Sequence, residues 1–242
     1  MNHYEIQGKT LAWINSWLTE RFQRVVVDGE ASSFVKVTLG VPQGTVLGPL
    51  IFLLFINDIH ENLDSTLRLF ADDALLYRSI NTMNDSVILQ NDIDKLVSWS
   101  KTWQMQFNVT KRHTMRISRK KEPVLMDYYI DGQKLSPVKN HPYLGVVLSN
   151  DLRWNSHVEN LAVKANKSLG LIARRNLYPC SENTKRSAYV TIVRPILEYA
   201  TAVWDPYRQE QIDSIEAAQR RAARFIKETI TELLPLQKCY SH

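Results

Sequence analysis

The sequence predicts an α+β protein in which strands and helices mix up to about residue 150 and helices alone follow. Three observations carry that expectation. Short β-branched runs flank Asp28-Gly29, and a second turn is expected at Asp131-Gly132, dipeptides that favour two-residue hairpins. The stretch Leu67–Tyr77, L-R-L-F-A-D-D-A-L-L-Y, sets two apolar runs around a tandem acid pair, each run short enough to be a strand. From about residue 155 the apolar side chains recur at helical spacing only.

At 242 residues the chain can form one large domain or two small ones, and the change of character near 150 sets the expected boundary: 1–150 and 151–242. The longest uninterrupted apolar run, Val46–Ile56, falls far short of the roughly 20 residues that span a bilayer. Met1–Gln7 is polar, so no signal peptide is expected. Cys180 and Cys239 lie at no metal-ligand spacing and read as reduced thiols of an intracellular, non-secreted protein. Charge is uneven: 1–100 holds 7 Lys/Arg against 12 Asp/Glu, 101–150 holds 9 against 3, and 151–242 holds 14 against 10. An acidic front with a basic middle and tail suits cation binding beside phosphate binding, and equally a solvated surface of mixed sign.

Taken in order, Thr10–Arg21 places apolar residues at 11, 14, 17 and 18, a helical face with Thr10 as N-cap. Phe22–Val37 then reads as a hairpin turning at Asp28-Gly29, so Asp28 is a turn former rather than a metal ligand. Gly40–Pro49 (G-V-P-Q-G-T-V-L-G-P) is rich in glycine and leads into nine large apolar side chains between Val46 and Ile56. That run is expected to be a buried helix, with a strand the alternative, and Pro49 sits where a first turn tolerates a missing N–H. In the next stretch Asp72 and Asp73 are adjacent. Neighbouring strand side chains point to opposite faces, so two such carboxylates share a site only where the backbone bends. The bare stretch reads first as a solvated turn, with a site for a divalent cation the alternative.

Asn84–Gln106 carries a helical stripe at 89, 93, 96, 97, 99 and 103, with Asp85, Asp92 and Asp94 serving capping and solvation and Trp99 and Trp103 in the core. Phe107–Lys121 holds six Lys/Arg between 111 and 121 and reads as a strand through 114–118 leading to a basic loop. A hairpin at Asp131-Gly132 follows, then a strand over 142–149 ending in an Asn-Asp turn. Val158, Leu161, Ala162, Ala165, Leu169 and Ile172 stripe the first C-terminal helix, with Lys164, Lys167, Arg174 and Arg175 elsewhere on it. Ser181 caps a second, kinked at Pro195. A third is lined by Ile212, Ile215, Gln219, Ala222 and Ile226 and exposes Arg220, Arg221 and Arg224.

These pieces, in this order, resemble the palm and thumb of the reverse transcriptases of non-LTR retrotransposons of the LINE, jockey and CR1 kind. G-V-P-Q-G-T-V-L-G-P-L-I-F at 40–52 is similar to the family's motif B, with Thr45 where serine is usual. F-A-D-D at 70–73 resembles motif C, F-N-V-T-K at 107–111 motif D, and Y-L-G-V at 143–146 the primer grip. R-P-I-L-E-Y-A at 194–200 and I-E-A-A-Q-R-R-A at 215–222 resemble the C-terminal helices.

The resemblance implies a partial polymerase palm, an antiparallel sheet with helices, followed by an all-α thumb-like region. It implies Asp72 and Asp73 as ligands of magnesium, with manganese the alternative ion, in two-metal nucleotidyl transfer. Lys111 would be the acid near the triphosphate. Pro42, Gln43, Gly44 and Phe70 would lie against template and incoming nucleotide, and Tyr143, Leu144, Gly145 and Val146 would hold the primer end. The partners would be an RNA template, a DNA primer and a dNTP, with no membrane, and the compartment nucleus or cytoplasm. Family members carry a further aspartate, motif A, upstream of the Thr10 helix. Here only Met1–Lys9 precede that helix, and the one acid there, Glu5, is in no such context. Fingers, endonuclease and Cys/His knuckle are missing as well. The chain by itself is therefore expected to be inactive; the alternative is a non-enzymatic nucleic-acid-binding remnant of a mobile element.

Overall fold

The computed structural model describes residues 4–174 and 179–227; Arg175 and Cys239 lie outside them. The chain divides into two compact units: Met1–Asn108 with Val124–Lys134, and Val109–Pro123 with Leu135–His242. Helices alternate with two-stranded sheets, all antiparallel except one, which agrees with the expected α+β class.

In the first unit, α1 (Gly8–Leu18) begins ahead of the expected cap, so Thr10 lies inside the helix; Gln7 occupies the cap without a side-chain bond. Strands β1 (Arg21–Gln23) and β4 (Val35–Val37) pair around the inner hairpin of β2 (Val26–Val27) and β3 (Glu30–Ala31). Asp28 and Gly29 turn that hairpin at φ 50° and 88°, as an Asp-Gly dipeptide should. Helix α2 (Leu47–Ile56) forms as expected but is not a core helix. Gly48, Ile51 and Ile56 are buried, whereas Leu50 and Leu53 are about half exposed at 53% and 50%. The run is apolar all round, and the described residues cover only one side of it.

Strands β5 (Thr66–Phe70) and β6 (Asp73–Tyr77) form an antiparallel hairpin in register from Thr66 opposite Tyr77 to Phe70 opposite Asp73. Helix α3 (Met83–Thr102) opens on a capping box in which the Thr82 hydroxyl accepts from the Asp85 N–H and the Asp85 carboxylate accepts from the Thr82 N–H. Phe55, Trp99 and Trp103 pack edge to face, but Trp103 stays 44% exposed and is not core; Trp99 Nε1 donates to Asp58 at 2.9 Å. A further hairpin, β8 (Tyr129–Ile130) and β9 (Gln133–Lys134), turns at Asp131-Gly132 as expected. Gln90 on α3 pairs with both the N–H and the C=O of Tyr129.

In the second unit a 3₁₀ turn, Val109–Lys111, precedes β7 (His113–Thr114), which pairs in parallel with β10 (Ser136–Pro137). The strand expected through Ser118 stops at Thr114. Arg116, Ile117 and Ser118 are exposed on either side of the alternation, so no face is available to bury. The single strand expected over 142–149 is instead a hairpin, β11 (Asn140–Tyr143) and β12 (Val146–Ser149). Helix α4 (Asn155–Ile172) buries all six residues of its predicted stripe, and His157 with them. Ser181 caps α5 (Glu182–Ala188), accepting from the Thr184 N–H. The chain then loosens into a π-helical turn, Tyr189–Val193, before α6 (Arg194–Glu198), where Pro195 withholds an N–H. Helix α7 (Gln209–Lys227) buries Gln211, Ala218, Ala222 and Phe225 and exposes Gln219. Its inward face is thus turned from the predicted stripe toward Phe225, its largest apolar side chain. Two clusters fill this unit: α4 with α6 and α7 around Ala165, Leu197 and Ala222, and Val146 with Val158, Leu161 and Trp204.

Candidate functional site

The β5–β6 hairpin turns through only two residues, Ala71 and Asp72. Ala71 takes φ 49°, which bends the backbone at the tip, with Asp72 in the turn and Asp73 at the head of β6. Both are exposed. Among the described residues neither carboxylate takes part in a hydrogen bond or ion pair. In the same unit Asp58 engages Trp99, Asp64 Lys95, Asp85 Thr82, Asp92 Ser65 and Asp94 Gln90, whereas among the described residues Glu20, Asp28, Glu30 and Glu61 share the tandem pair's lack of a side-chain partner. Among the described residues no group of three or more His, Cys, Asp or Glu gathers to form a complete metal cage.

The base of the hairpin is fixed where its tip is not. Asp92 is fully buried and accepts from Ser65 N–H at 2.7 Å and Asp64 N–H at 3.2 Å, just ahead of β5. Burial pushes its carboxyl up, but the Lys95 ammonium and these donors outweigh burial and hold it below the usual carboxylate range. Asp92 is thus no solvated capping acid but a buried anchor. Lys95 Nζ reaches Asp92 at 2.8 Å, Asp64 at 3.1 Å and Asn62 O at 2.7 Å. After β6, Arg78 Nη1 donates to Asp64 O at 2.8 Å, and its Nη2 lies 3.6 Å from Asp85. The signal for Asp92 is its spacing: it falls three residues after Leu89 and four before Leu96, on the buried stripe.

Pro42, Gln43 and Gly44 form the turn ahead of α2. Thr45 Oγ1 donates to Pro42 O at 2.8 Å and accepts from Gly48 N–H at 3.1 Å, closing that turn onto the helix start. Gly44 stands at φ 75° with nothing within 4 Å of where a Cβ would be, so its backbone is open to close approach. Phe70, opposite Asp73, is 60% exposed. Among the described residues no hydrogen bond or ion pair joins the Pro42–Gly44 turn to the acid hairpin. Lys111 closes the 3₁₀ turn in the second unit and is exposed. Tyr143, Leu144, Gly145 and Val146 form the turn of the β11–β12 hairpin and the residues that close it, with Leu144 and Gly145 at φ 47° and 81°. Val146 is buried against Trp204. Beneath it the Val147 N–H donates to His157 Nδ1 at 3.1 Å, and the His157 and Trp204 rings meet edge to face at 4.8 Å. Nothing in the spacing of His157 or Trp204 pointed to that turn.

Residues 1–148 match the family described as "Reverse transcriptase (RNA-dependent DNA polymerase)". Over 226 residues, 88% of the chain, it is 27% identical to the "RNA-directed DNA polymerase from mobile element jockey" of Drosophila melanogaster, covering 24% of that protein. It is 28% identical over 225 residues to the "Probable RNA-directed DNA polymerase from transposon X-element" of the same species, again 88% of this chain and 24% of the relative. The jockey protein of Drosophila funebris is 28% identical over 226 residues, 87% and 24% of the two chains. The chain thus spans about a quarter of the length of the curated relatives it matches.

Proposed function

Because the chain belongs to the reverse transcriptase family of non-LTR retrotransposons, we propose that it supplies palm (1–150) and thumb-like (151–242) parts of an RNA-directed DNA polymerase. The observation that carries the reading is the β5–β6 hairpin, within the matched region, whose tandem carboxylates face solvent unpaired while the base is clamped by Asp92, Lys95 and Arg78.

The donor set fits magnesium, or manganese in its place: hard oxygens, two carboxylates, and room for the phosphates and waters that complete such sites. Asp72 and Asp73 would hold the ion, which when bound would offset phosphate charge and activate the primer hydroxyl. The remaining work falls to the chain itself. Gln43 and Gly44 would lie against template and nucleotide, where the open space over Gly44 lets a base or phosphate touch the backbone. The exposed ring of Phe70 would flank the same nucleotide. Lys111 would carry a proton on Nζ toward the triphosphate. Tyr143–Val146 would hold the primer end. Exposed Lys164, Lys167, Arg220, Arg221 and Arg224 would track phosphates without reading sequence.

Primer extension on poly(rA)/oligo(dT) with magnesium, beside salt-dependent binding of an RNA–DNA hybrid, tests this. The chain alone is expected to bind hybrid in a salt-sensitive manner without extending primer, since no group of three or more possible metal ligands gathers among the described residues. Robust Asp72-dependent synthesis would overturn the expected inactivity. Failure to bind hybrid would overturn the nucleic-acid reading. No helix among the described residues is long and apolar enough to cross a membrane.

A further inference from the structure

Among the described residues three hairpins turn on two residues that both have positive φ: Asp28-Gly29, Asp131-Gly132 and Leu144-Gly145. Asp-Gly adopts that conformation at little cost, because a short polar side chain tolerates the left-handed region. Leu144 does not share that tolerance; a bulky residue at φ 47° is strained and persists only where its surroundings hold it.

The holding group is Tyr199. Its hydroxyl donates to Leu144 O at 2.9 Å, and its ring covers Gly145 so closely that a Cβ there would lie 2.8 Å from Cε1. Tyr199 is fixed in turn by Trp204, whose Nε1 donates to Tyr199 O at 2.8 Å and whose buried ring packs in the same cluster as Val146. Two segments 55 residues apart, Y-L-G-V and the tyrosine of R-P-I-L-E-Y-A, therefore meet at one hydrogen bond. Tyr199 is itself 53% exposed, so its ring acts on the surface of the turn and adds little to the core.

We propose that Tyr199 is a positioning residue for the primer end: it locks the strained Leu144–Gly145 turn in the shape that receives the primer's terminal nucleotide. This rests on reading Tyr143–Val146 as the primer grip. Tyr199→Phe removes the hydrogen bond and keeps the ring, so the fold should survive with an unchanged melting temperature.

The test uses the full chain in two arms. The first is amide exchange at residues 144–147 without nucleic acid, in wild type, Tyr199→Phe and Tyr199→Phe/Leu144→Asn. The second is photo-crosslinking of an RNA-templated primer carrying a photoreactive 3′-terminal nucleotide, with the site mapped by peptide. Exchange in Tyr199→Phe should quicken by roughly 2- to 10-fold, the range one hydrogen bond supports. The added Leu144→Asn, which suits the left-handed turn, should restore protection. Crosslinking to 140–149 should fall by a similar factor in Tyr199→Phe while total hybrid affinity holds. Unchanged exchange, or unchanged crosslinking to a turn that wild type does label, would overturn the role of Tyr199 and leave the primer grip standing. Wild-type crosslinks that map away from 140–149 would overturn the primer-grip reading and this proposal with it, whatever the exchange shows.

Discussion

The buried carboxylate of Asp92 accepts the Ser65 N–H at 2.7 Å, tying helix α3 to the residue just ahead of strand β5. Lys95 shares that carboxylate at 2.8 Å, and the pair fixes the base from which the acid hairpin projects.

Asp92→Asn should lower stability by about 1–3 kcal/mol, because one of two buried backbone donors loses its acceptor, while Lys95 loses the charge of one of its three partners and keeps Asp64 and Asn62. Chemical denaturation checks the cost. The sign with pH follows from the lowered carboxyl. Stability from a depressed acid is present above its unfolded value of about 3.9 and is lost as pH falls through the folded value. The gap between wild type and Asp92→Asn should therefore be full near neutrality and narrow below about pH 4. A gap that does not change with pH would mean that the charge plays no part.

Thr45 stands where the family's motif usually has serine, and its hydroxyl makes both bonds that close the Pro42–Gly44 turn. Thr45→Ser should be neutral, while Thr45→Val should cost about 1 kcal/mol, the usual penalty for a lost cap. Thermal denaturation of the two variants separates the hydroxyl from the methyl.

Gly145→Ala should destabilise the second unit by about 1–3 kcal/mol, through both its φ of 81° and the 2.8 Å clash with Tyr199. Gly132→Ala meets nothing within 4 Å and should cost less. Equal losses in denaturation would show that the tyrosine contact is immaterial.

Burial, with a smaller push from Lys164, holds the His157 imidazole below its ordinary value. Its Nδ1 accepts from Val147, and among the described residues its buried Nε2 has no partner. A base with a depressed folded value stabilises fully above its unfolded value, about 6.5, and loses that stability as pH falls through the folded one. The protection of the Val147 amide, its exchange corrected for the intrinsic base-catalysed rate, should fall below about pH 6.5 in wild type. In His157→Gln, which cannot titrate there, that protection should not vary with pH over the range.

Much of this architecture is legible in the chain because local chemistry and tertiary structure agree. Asp28-Gly29 and Asp131-Gly132 turn as their dipeptides demand, and the α4 stripe from Val158 to Ile172 is the face that is buried. Reading fails where distant groups decide. Leu144-Gly145 gives no turn signal, because Tyr199 and Trp204, more than 50 positions on, hold it. Asp92 reads as solvated because acids usually are; its place on the buried stripe hints otherwise, and the two backbone donors with Lys95 are what make that burial tolerable. Helix α2 is apolar all round, so periodicity cannot tell that Leu50 and Leu53 stay exposed. At the candidate site the tandem acids and the glycine turn were readable; their freedom from partners was not.

The central claim is that Asp72 and Asp73 form the metal-binding tip of a nucleic-acid site, and paramagnetic relaxation tests it most directly. Manganese is titrated into the isotope-labelled chain with an RNA–DNA hybrid and a dNTP, and amide signals are followed in wild type and Asp72→Asn. The account predicts selective broadening at Phe70–Ala74 that disappears in Asp72→Asn. Broadening centred elsewhere, or unchanged in the variant, would contradict it.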